Sequence, residues 1–341
     1  MGRRKEVKLV IDSYGNYLGM EKGCMILKDR HGTVTRYPLF EAEIGEVILK
    51  SGNMISTGLL SSLGFWEIDV LITTRNGQPI AMLKNLEDDS HVKTRICQYE
   101  ALKNGKGCYL AKQFVIGKIE GQTNLLKKYG LAEYSIGQVE NILEPDLDIL
   151  RRRLMHLEGK YGKHYFKQIF QLFPESIRPT ERSNFKAYDG INNVFNLAYR
   201  ILFWKCYRAL IKAHLEPYLG FLHKVQFGRP SLVCDFMEMY RHLVDNFLIE
   251  YCQTLRSKDF IAKAERWGEK KGKRIYLNDT LTRDLTLKMH SYFRRMVRAP
   301  RMRAPYAKKQ EVETLISEEA FLIAKYLRNE RKNWIPRITV L

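Results

Sequence analysis

The chain lacks the sequence patterns of metal-knuckle, secreted and membrane proteins. Its six cysteines are scattered without a Cys-x-x-Cys or Cys-x-x-x-Cys pair, which argues against a structural zinc site and a dense disulfide framework. No run reaches the roughly 18 apolar residues that a membrane span needs, and the basic N-terminus does not lead into the apolar stretch of a signal peptide. We therefore expect a cytoplasmic protein with reduced thiols and no membrane association.

Motifs of several large enzyme classes are also missing. The sequence contains no P-loop pattern, no Gly-x-Gly-x-x-Gly after a strand, no His-Glu-x-x-His and no Gly-x-Ser-x-Gly. These absences argue against P-loop nucleotidases, dinucleotide-dependent enzymes, zinc proteases of that type and serine hydrolases with a nucleophile elbow.

Acidic residues are few compared with basic ones. The 38 Asp and Glu residues stand against 57 Lys and Arg, which gives a formal net charge of +19. Because basic side chains that neutralise phosphates release condensed counterions, this excess predicts salt-sensitive binding to nucleic acid. A membrane-surface or RNA-associated protein is the alternative that charge alone leaves open.

Two patterns divide the 341 residues, which are enough for two domains of about 150 residues each. Short β-rich runs separated by turn signals come first, at residues 7–11, 24–28, 33–37, 46–49 and 69–73, with one helix at 56–63 capped by Ser56. After the polar stretch 85–90 the apolar period becomes helical, at residues 95–103, 107–128, 135–143, 146–173, 190–213 and 231–256. We therefore predict an α+β protein with a small antiparallel β domain at 1–88 and a larger all-α domain at 89–341.

Two features of the second domain have no regular pattern. A polar, proline-containing stretch at 177–184 predicts a loop. Basic residues cluster at 270–274 and 294–303, and the second cluster contains Arg294, Arg295, Arg298, Arg301 and Arg303. Contact with DNA phosphates and simple solvation of a charged surface are both compatible with these clusters, because the assignment rests on charge alone.

Residues that could bind a metal ion lie in two segments. Glu158 is followed by Gly159 inside a helical pattern, where glycine costs about 1 kcal/mol relative to alanine, so we expect this glycine to clear space beside the carboxylate. Asp235 and Glu238 stand three residues apart and so project from one helix face. An exposed acidic helix face explains each of these carboxylates equally well when it is considered by itself.

A histidine precedes the second acidic pair. His223 lies in a glycine-flanked turn upstream of the helix, and Ser231 is placed to cap that helix. A lone histidine is usually a core or surface residue, so only the combination is informative. Carboxylates with one imidazole suit Mn²⁺ and tolerate Mg²⁺, and a metal site in a basic protein favours a nuclease or strand-transferase.

The chain resembles the CRISPR-associated adaptation integrases and endonucleases, the universal first family of Cas proteins. The resemblance rests on three blocks in matching order and spacing: Leu-Glu-Gly…Tyr-Phe at 157–166, Asp-Gly-Ile-Asn-Asn-Val-Phe-Asn-Leu-Ala-Tyr at 189–199, and Pro-Tyr-Leu-Gly-Phe-Leu-His…Gly-Arg-Pro-Ser-Leu…Asp-Phe-Met-Glu…Arg at 217–241. It covers the β-rich part and the helical part to residue 255.

The resemblance implies an activity and an assembly. Glu158, His223 and Glu238 would be the catalytic residues and the ligands of Mn²⁺ or Mg²⁺, with Asp235 as an auxiliary acidic residue. The reaction would join the 3′-hydroxyl ends of captured double-stranded DNA to phosphodiesters of the CRISPR repeat. The protein would be a homodimer formed through its N-terminal domain, with two such dimers around one dimer of the small companion adaptation protein.

The block at 189–199 is expected to lie near the site, and two other functions remain open for the protein. Asn192, Asn196 and Tyr199 are expected beside the site, where asparagines can position ligands. Gly190 stands where the family commonly has proline, which predicts a looser loop before that helix. A structure-specific DNA repair nuclease without a CRISPR role remains the alternative function, and a non-catalytic nucleic-acid-binding protein is a third.

Overall fold

The computed structural model describes residues 7–39, 44–66, 68–74, 79–83, 92–133, 135, 137–183, 188–267, 270–298, 300 and 309–339. The chain divides into two compact units, Met1–Ser90 and His91–Leu341. The six cysteines all belong to the described residues and are free thiols. Over the same residues, no helix combines the length and the apolar character that crossing a membrane requires.

The described part of the N-terminal unit consists of two four-stranded sheets and a helix. In chain order its elements are β1 (Val7–Ile11), β2 (Tyr17–Glu21), β3 (Cys24–Lys28), β4 (Val34–Pro38), β5 (Ile44–Lys50), β6 (Met54–Ile55), α1 (Thr57–Phe65), β7 (Asp69–Thr73) and β8 (Pro79–Leu83). One sheet has the order β1-β5-β7-β8 and the other β4-β3-β2-β6. Ser56 caps α1 as predicted, because its side chain accepts a hydrogen bond from the Leu59 N–H at 3.2 Å.

The predicted β domain is confirmed, but its purely antiparallel character is wrong. Strand β5 runs parallel to both β1 and β7. A parallel neighbour needs a crossover connection, and α1 supplies it between β5 and β7. The sequence prediction treated the whole domain as antiparallel, and it also missed β2, β6 and β8. Strand β2 contains Gly19, which interrupts the alternating pattern on which the strand predictions rested.

The C-terminal unit is mainly helical. Its helices are α2 (Val92–Glu100), α3 (Lys106–Lys128), α4 (Gly137–Glu140), α5 (Leu147–Ile169), α6 (Gly190–Lys212), α7 (Ser231–Glu238), α8 (Arg241–Tyr251), α9 (Asp279–Phe293) and α10 (Val312–Leu327). Its strands are β9 (Phe260–Trp267), β10 (Lys270–Leu277), β11 (Met296–Arg298) and β12 (Lys309–Glu311). Single 3₁₀ turns occur at Phe170–Leu172, Glu175–Ile177, Cys252–Thr254 and Ser257–Asp259.

The helical domain is confirmed, with three corrections. It is not all-α, because β9 pairs with β10 and β11 with β12 in antiparallel ladders. The basic C-terminal part contains α9 and α10, which the sequence prediction left without regular structure. The helix predicted at 231–256 is interrupted between α7 and α8, where the N–H of Tyr240 bonds to the carbonyl of Met237 in a tighter turn.

Helix α3 packs unusually closely against the junction of α7 and α8. A Cβ atom added at Gly121 would overlap the imidazole of His242, and one added at Gly117 would lie 3.0 Å from Met239 Cγ. The overlap is severe at Gly121, whereas at Gly117 the Met239 side chain would have to shift slightly. Because Lys118 lies between these two glycines, the same approach brings its side chain towards the end of α7.

The segment after α10 is extended and partly buried in the helical unit. The side chain of Trp334 is fully buried, its indole N–H donates to Glu319 Oε2 at 2.8 Å, and its ring meets that of Phe114 with centroids 5.6 Å apart. Further along, the Thr339 carbonyl lies 2.8 Å from Nε2 of His242. Burial lowers the pKa of His242 to about 4, so this histidine is neutral at physiological pH.

Candidate metal centre

Two of the predicted ligands, Glu158 and Glu238, meet around one lysine. Glu158 lies in the middle of α5 and Glu238 at the C-terminal end of α7. The ammonium of Lys118 forms an ion pair with Glu158 Oε1 and lies 2.6 Å from Glu238 Oε2. The side chain of Glu238 is 6% exposed and that of Glu158 27% exposed. The two carboxylates therefore share one cationic position, which solvent reaches from the Glu158 side.

A second cation holds the other oxygen of Glu238. Arg241 Nη2 lies 2.9 Å from Glu238 Oε1, and the guanidinium stacks 4.7 Å from the ring centroid of Tyr199. Burial opposes ionisation of Glu238, but the charges of Arg241 and Lys118 outweigh it and lower the pKa of Glu238 to about 2. Burial likewise opposes the charge on Lys118, and Glu238 and Glu158 outweigh it and raise the lysine pKa. Glu238 and Lys118 are therefore both charged at neutral pH.

The third predicted ligand, His223, is oriented by Asp235. Its Nδ1 lies 2.7 Å from Asp235 Oδ1, and the buried Asp235 carboxylate also accepts the backbone N–H groups of Phe221, Leu222 and His223 at 2.6, 2.8 and 2.9 Å. With Nδ1 donating to the carboxylate, Nε2 keeps the lone pair that a metal ion would use. Asp235 thus fixes both the turn and the imidazole.

The predicted cap of α7 is wrong. Ser231 is the first helical residue, with Pro230 at the N-cap position, and its hydroxyl donates to the Lys224 carbonyl at 2.8 Å. Serine here closes the turn that carries His223. A Cβ atom at Gly220 would lie 2.6 Å from the His223 carbonyl oxygen, so this turn also depends on glycine.

The donor set fits a divalent cation chemically, but the cationic position is taken by an amine. Among the described residues, no three His, Cys, Asp or Glu side chains stand close enough to hold an ion as they are. Glu238 Oε2 is buried and, within the same part of the chain, forms no hydrogen bond of acceptable angle, although the Lys118 ammonium is adjacent. A buried, ionised oxygen of this kind matches the preference of Mg²⁺ and Mn²⁺ for carboxylate ligands.

The space beside Gly159, which was expected to be clear, is open among the described residues. An added Cβ atom would meet no described atom within 4 Å, so neither a neighbouring backbone nor a side chain requires glycine at this position. The glycine after Glu158 is therefore not explained by contacts within the protein.

The middle block has a different use from the one expected. Asn192 Oδ1 and Asn196 Oδ1 accept hydrogen bonds from the Arg182 guanidinium at 2.9 and 2.7 Å. That guanidinium also lies 5.4 Å from the ring centroid of Tyr199. The asparagines thus hold Arg182, which lies in the predicted loop 177–184, against α6. Of the three residues, Tyr199 is the one connected to the site, because its ring stacks against Arg241.

A buried carboxylate lies behind Tyr199. Asp245 accepts a hydrogen bond from the Tyr199 hydroxyl and another from the Tyr165 hydroxyl, the latter at 2.7 Å. Burial raises the pKa of Asp245 to about 6 despite these bonds. Asp245 therefore supports α5 and α6 from within the core.

The start of α6 is not loose. Asp189 caps the helix by accepting the Asn192 N–H at 2.8 Å, and a Cβ atom at Gly190 would overlap the ring of Phe260. Gly190 therefore has a packing reason of its own. Residues 184–187 of the preceding loop lie outside the described residues.

The basic clusters are only partly described. Arg294, Arg295 and Arg298 are exposed, and the Arg295 guanidinium stacks 4.8 Å from the ring centroid of Tyr292. Arg301 and Arg303 lie outside the described residues. The cluster at 270–274 forms part of β10.

Lys118 and Arg241 are the site residues that the sequence prediction missed. Lys118 follows Phe114 by one helical turn, on the buried stripe of α3 that also contains Gln122. A lysine on a buried stripe is rarely tolerated without partners, and this was the available signal.

The family model described as "CRISPR associated protein Cas1" matches residues 9–290. The CRISPR-associated endonuclease Cas1 2 of Pyrobaculum aerophilum is 32% identical in an alignment of 261 residues that covers 74% of this chain and 85% of that protein. The CRISPR-associated endonuclease Cas1 1 of Archaeoglobus fulgidus is 30% identical over 263 residues, with coverages of 70% and 75%. The chain therefore belongs to the Cas1 family, and the resemblance read from the three blocks is confirmed.

Solved structures share the fold. A casposase bound to its integration product has a TM-score of 0.74 at 19% identity, covering 97% of this chain and 94% of that one. A Cas1 protein from Thermotoga maritima has a TM-score of 0.70 at 18% identity, with coverages of 95% and 97%. A chain of a Cas6-RT-Cas1–Cas2 complex has a TM-score of 0.69 at 18% identity, covering 98% of this chain and 36% of that one.

Proposed function

We propose that this protein is a metal-dependent DNA endonuclease and integrase of CRISPR adaptation, which joins 3′-hydroxyl ends of captured DNA to phosphodiesters of the repeat. The observation that supports this proposal most directly is that the carboxylates of Glu158 and Glu238 lie on either side of one position, which the Lys118 ammonium occupies. The curated relatives named as endonucleases support the reaction class.

The proposed ligands are Glu158, Glu238 and the Nε2 atom of His223. A Mn²⁺ or Mg²⁺ ion bound by them would polarise the scissile phosphate and activate the attacking hydroxyl. Asp235 keeps the His223 ring in the tautomer that leaves Nε2 free. Arg241 holds Glu238 and adds positive charge beside the position of a bound phosphate, where such charge favours the transition state.

The proposed partners are double-stranded DNA, a second copy of the chain and the small companion adaptation protein. The homodimer would form through the N-terminal unit, and two homodimers would flank one companion dimer. The fold shared with a chain of the Cas6-RT-Cas1–Cas2 complex supports this assembly. Arg294, Arg295, Arg298, Arg301 and Arg303 are proposed to contact DNA phosphates, which their charge favours.

The test is strand transfer of a labelled duplex with 3′-hydroxyl ends into a repeat-containing plasmid, with the companion protein present. Wild type and Glu238→Gln are compared in Mn²⁺ and in EDTA. Glu133→Gln is the control, because Glu133 is an exposed glutamate of the same unit. We expect a joined product only in Mn²⁺ and only with wild type and the control.

Two results would change the proposal. Joining by Glu238→Gln, or by wild type in EDTA, would show that the chemistry does not depend on this site. Nicking without joining would favour the structure-specific repair nuclease.

A further inference from the structure

The ammonium of Lys118 occupies the position that a metal ion bound by both glutamates would need. It contacts Glu158 and lies 2.6 Å from Glu238 Oε2. The Lys118 side chain is 8% exposed, so it cannot be regarded as a surface lysine that has met two carboxylates by chance. The amine and the Glu238 carboxylate are buried together, and the Glu158 carboxylate closes the cluster from its partly exposed side.

This location is built into the helix packing. Lys118 lies between Gly117, where an added Cβ atom would press on the Met239 side chain, and Gly121, where it would overlap the His242 ring. The close approach of α3 points the Lys118 side chain at the end of α7. The amine can withdraw through rotation of its four-carbon side chain, whereas its backbone is held by the helix.

Charge balance gives the cluster two alternative states. Glu158 and Glu238 supply two negative charges, and Lys118 and Arg241 supply two positive ones. A divalent cation added to this balanced set would meet an adjacent ammonium at ion-pair distance, which is strongly repulsive in a buried site. Binding of the cation therefore requires that the ammonium leaves the space between the carboxylates.

We propose that Lys118 is a placeholder for the metal ion, which holds Glu158 and Glu238 together in the metal-free protein and is displaced from between them when the ion binds. This inference rests on the proposed function, because it assumes a divalent cation at these glutamates. Lys118 is a positioning residue in this scheme, since it acts on the ligands and not on the substrate.

The consequence is that Lys118 weakens metal binding. Only the metal-free molecules in which the amine is withdrawn can bind the ion. The apparent Kd for the metal therefore equals the intrinsic Kd of these molecules divided by their fraction of the population. If the amine is withdrawn in one molecule in ten, its removal tightens binding about tenfold. The metal-free protein should at the same time become less stable, because the buried Glu238 and the partly exposed Glu158 lose a shared counter-ion.

The experiment measures Mn²⁺ binding to the full-length protein without DNA, by the loss of the free-Mn²⁺ EPR signal. The variants are Lys118→Met and the polar Lys118→Gln, and the control is Lys127→Met, which removes the same charge from an exposed position of α3. We expect Kd to fall about tenfold or more in both Lys118 variants and to stay unchanged in the control. The thermal midpoint of the metal-free Lys118 variants should fall and should recover on addition of Mn²⁺.

Glu238→Gln separates failure of this inference from failure of the proposed site. If wild type binds Mn²⁺ and Glu238→Gln does not, but the Lys118 variants bind no more tightly than wild type, the placeholder role is wrong and the metal site stands. If Glu238→Gln binds as well as wild type, both proposals are wrong.

A measurement on wild type keeps the test decisive if the Lys118 variants do not fold. Crystals grown with and without Mn²⁺ should show Nζ between the two carboxylates only in the metal-free form. An ammonium in the same place in both forms would overturn the inference.

Discussion

The Nδ1 atom of His223 and the Oδ1 atom of Asp235 lie 2.7 Å apart, and the same carboxylate binds the backbone of the turn that carries the histidine. One buried side chain thus sets both the position and the tautomer of the imidazole. A change at Asp235 should therefore affect stability and metal binding together.

Asp235→Asn tests this coupling. Asparagine offers one acceptor oxygen instead of two, so at least one buried N–H loses its partner, at a cost of about 1–3 kcal/mol in unfolding free energy. The imidazole also loses its anionic partner, and Mn²⁺ affinity should fall about 10- to 100-fold. Urea unfolding and Mn²⁺ titration measure the two effects. Asp279→Asn, at a side chain 88% exposed, is the control and should change neither. Unchanged Mn²⁺ affinity in Asp235→Asn would refute the orienting role.

Asp245 should give the protein a recognisable pH dependence. Burial raises its pKa to about 6 from the ordinary 3.8, so the folded form binds the proton more tightly than the unfolded chain. The stability due to this proton is complete below pH 3.8 and is lost as the pH rises through 6. At 1.36 kcal/mol per pKa unit the loss amounts to about 3 kcal/mol.

Asp245→Asn isolates that contribution. The amide does not titrate, so the unfolding free energy of wild type relative to the variant should fall as pH rises from 4 to 7. Urea unfolding of both proteins at several pH values measures the difference. Parallel curves across this range would contradict the raised pKa.

Trp334 should anchor the segment that follows α10. Trp334→Ala removes a fully buried indole and its hydrogen bond to Glu319, which should cost about 3–5 kcal/mol. The neighbouring Ile335 is 45% exposed and gives a matched control, because Ile335→Ala should cost well under half of that. Thermal and urea unfolding measure both variants. Equal effects of the two substitutions would show that the segment is not held by the tryptophan.

The arginine cluster makes a prediction about salt. If Arg294 and Arg298 each neutralise a phosphate, replacing both by glutamine should reduce the slope of log K against log salt by about 1.8, since each contact contributes about 0.9. Fluorescence anisotropy with a labelled duplex at several salt concentrations gives the slope. The control replaces Arg30 and Arg152, which are also exposed. The proposed contacts are wrong if both double variants shift the slope equally.

Local signals in the sequence explain which parts of the fold were predictable. The predicted start of α3 was within one residue of the observed start. The Asp146 side chain caps α5 by accepting a hydrogen bond from the Ile149 N–H, and Asp189 caps α6 by accepting one from the Asn192 N–H. Capping and helical periodicity involve residues close in the chain, so a single sequence contains them.

The missed features depend on contacts between distant residues. The parallel order of β1, β5 and β7 follows from how the chain crosses over, which strand patterns do not encode. Lys118 and Glu238 are 120 positions apart in the numbering and meet only because helix α3 packs against the α7–α8 junction. Sequence reasoning could select ligands by chemical type, and the buried stripe of α3 marked Lys118 as unusual, but neither signal shows that this lysine lies between the two glutamates.

The contact between Gly190 and Phe260 has a consequence for how this chain can change. A side chain at position 190 would fill the space that the Phe260 ring occupies. A substitution at 190 therefore requires a matching change at 260. A proline at 190 is compatible with this fold only together with a smaller or differently placed residue at 260. Position 190 and the hairpin that begins with Phe260 therefore cannot be exchanged independently, because a side chain at 190 would overlap the present Phe260 ring, whereas Gly190 beside a smaller residue would leave a gap.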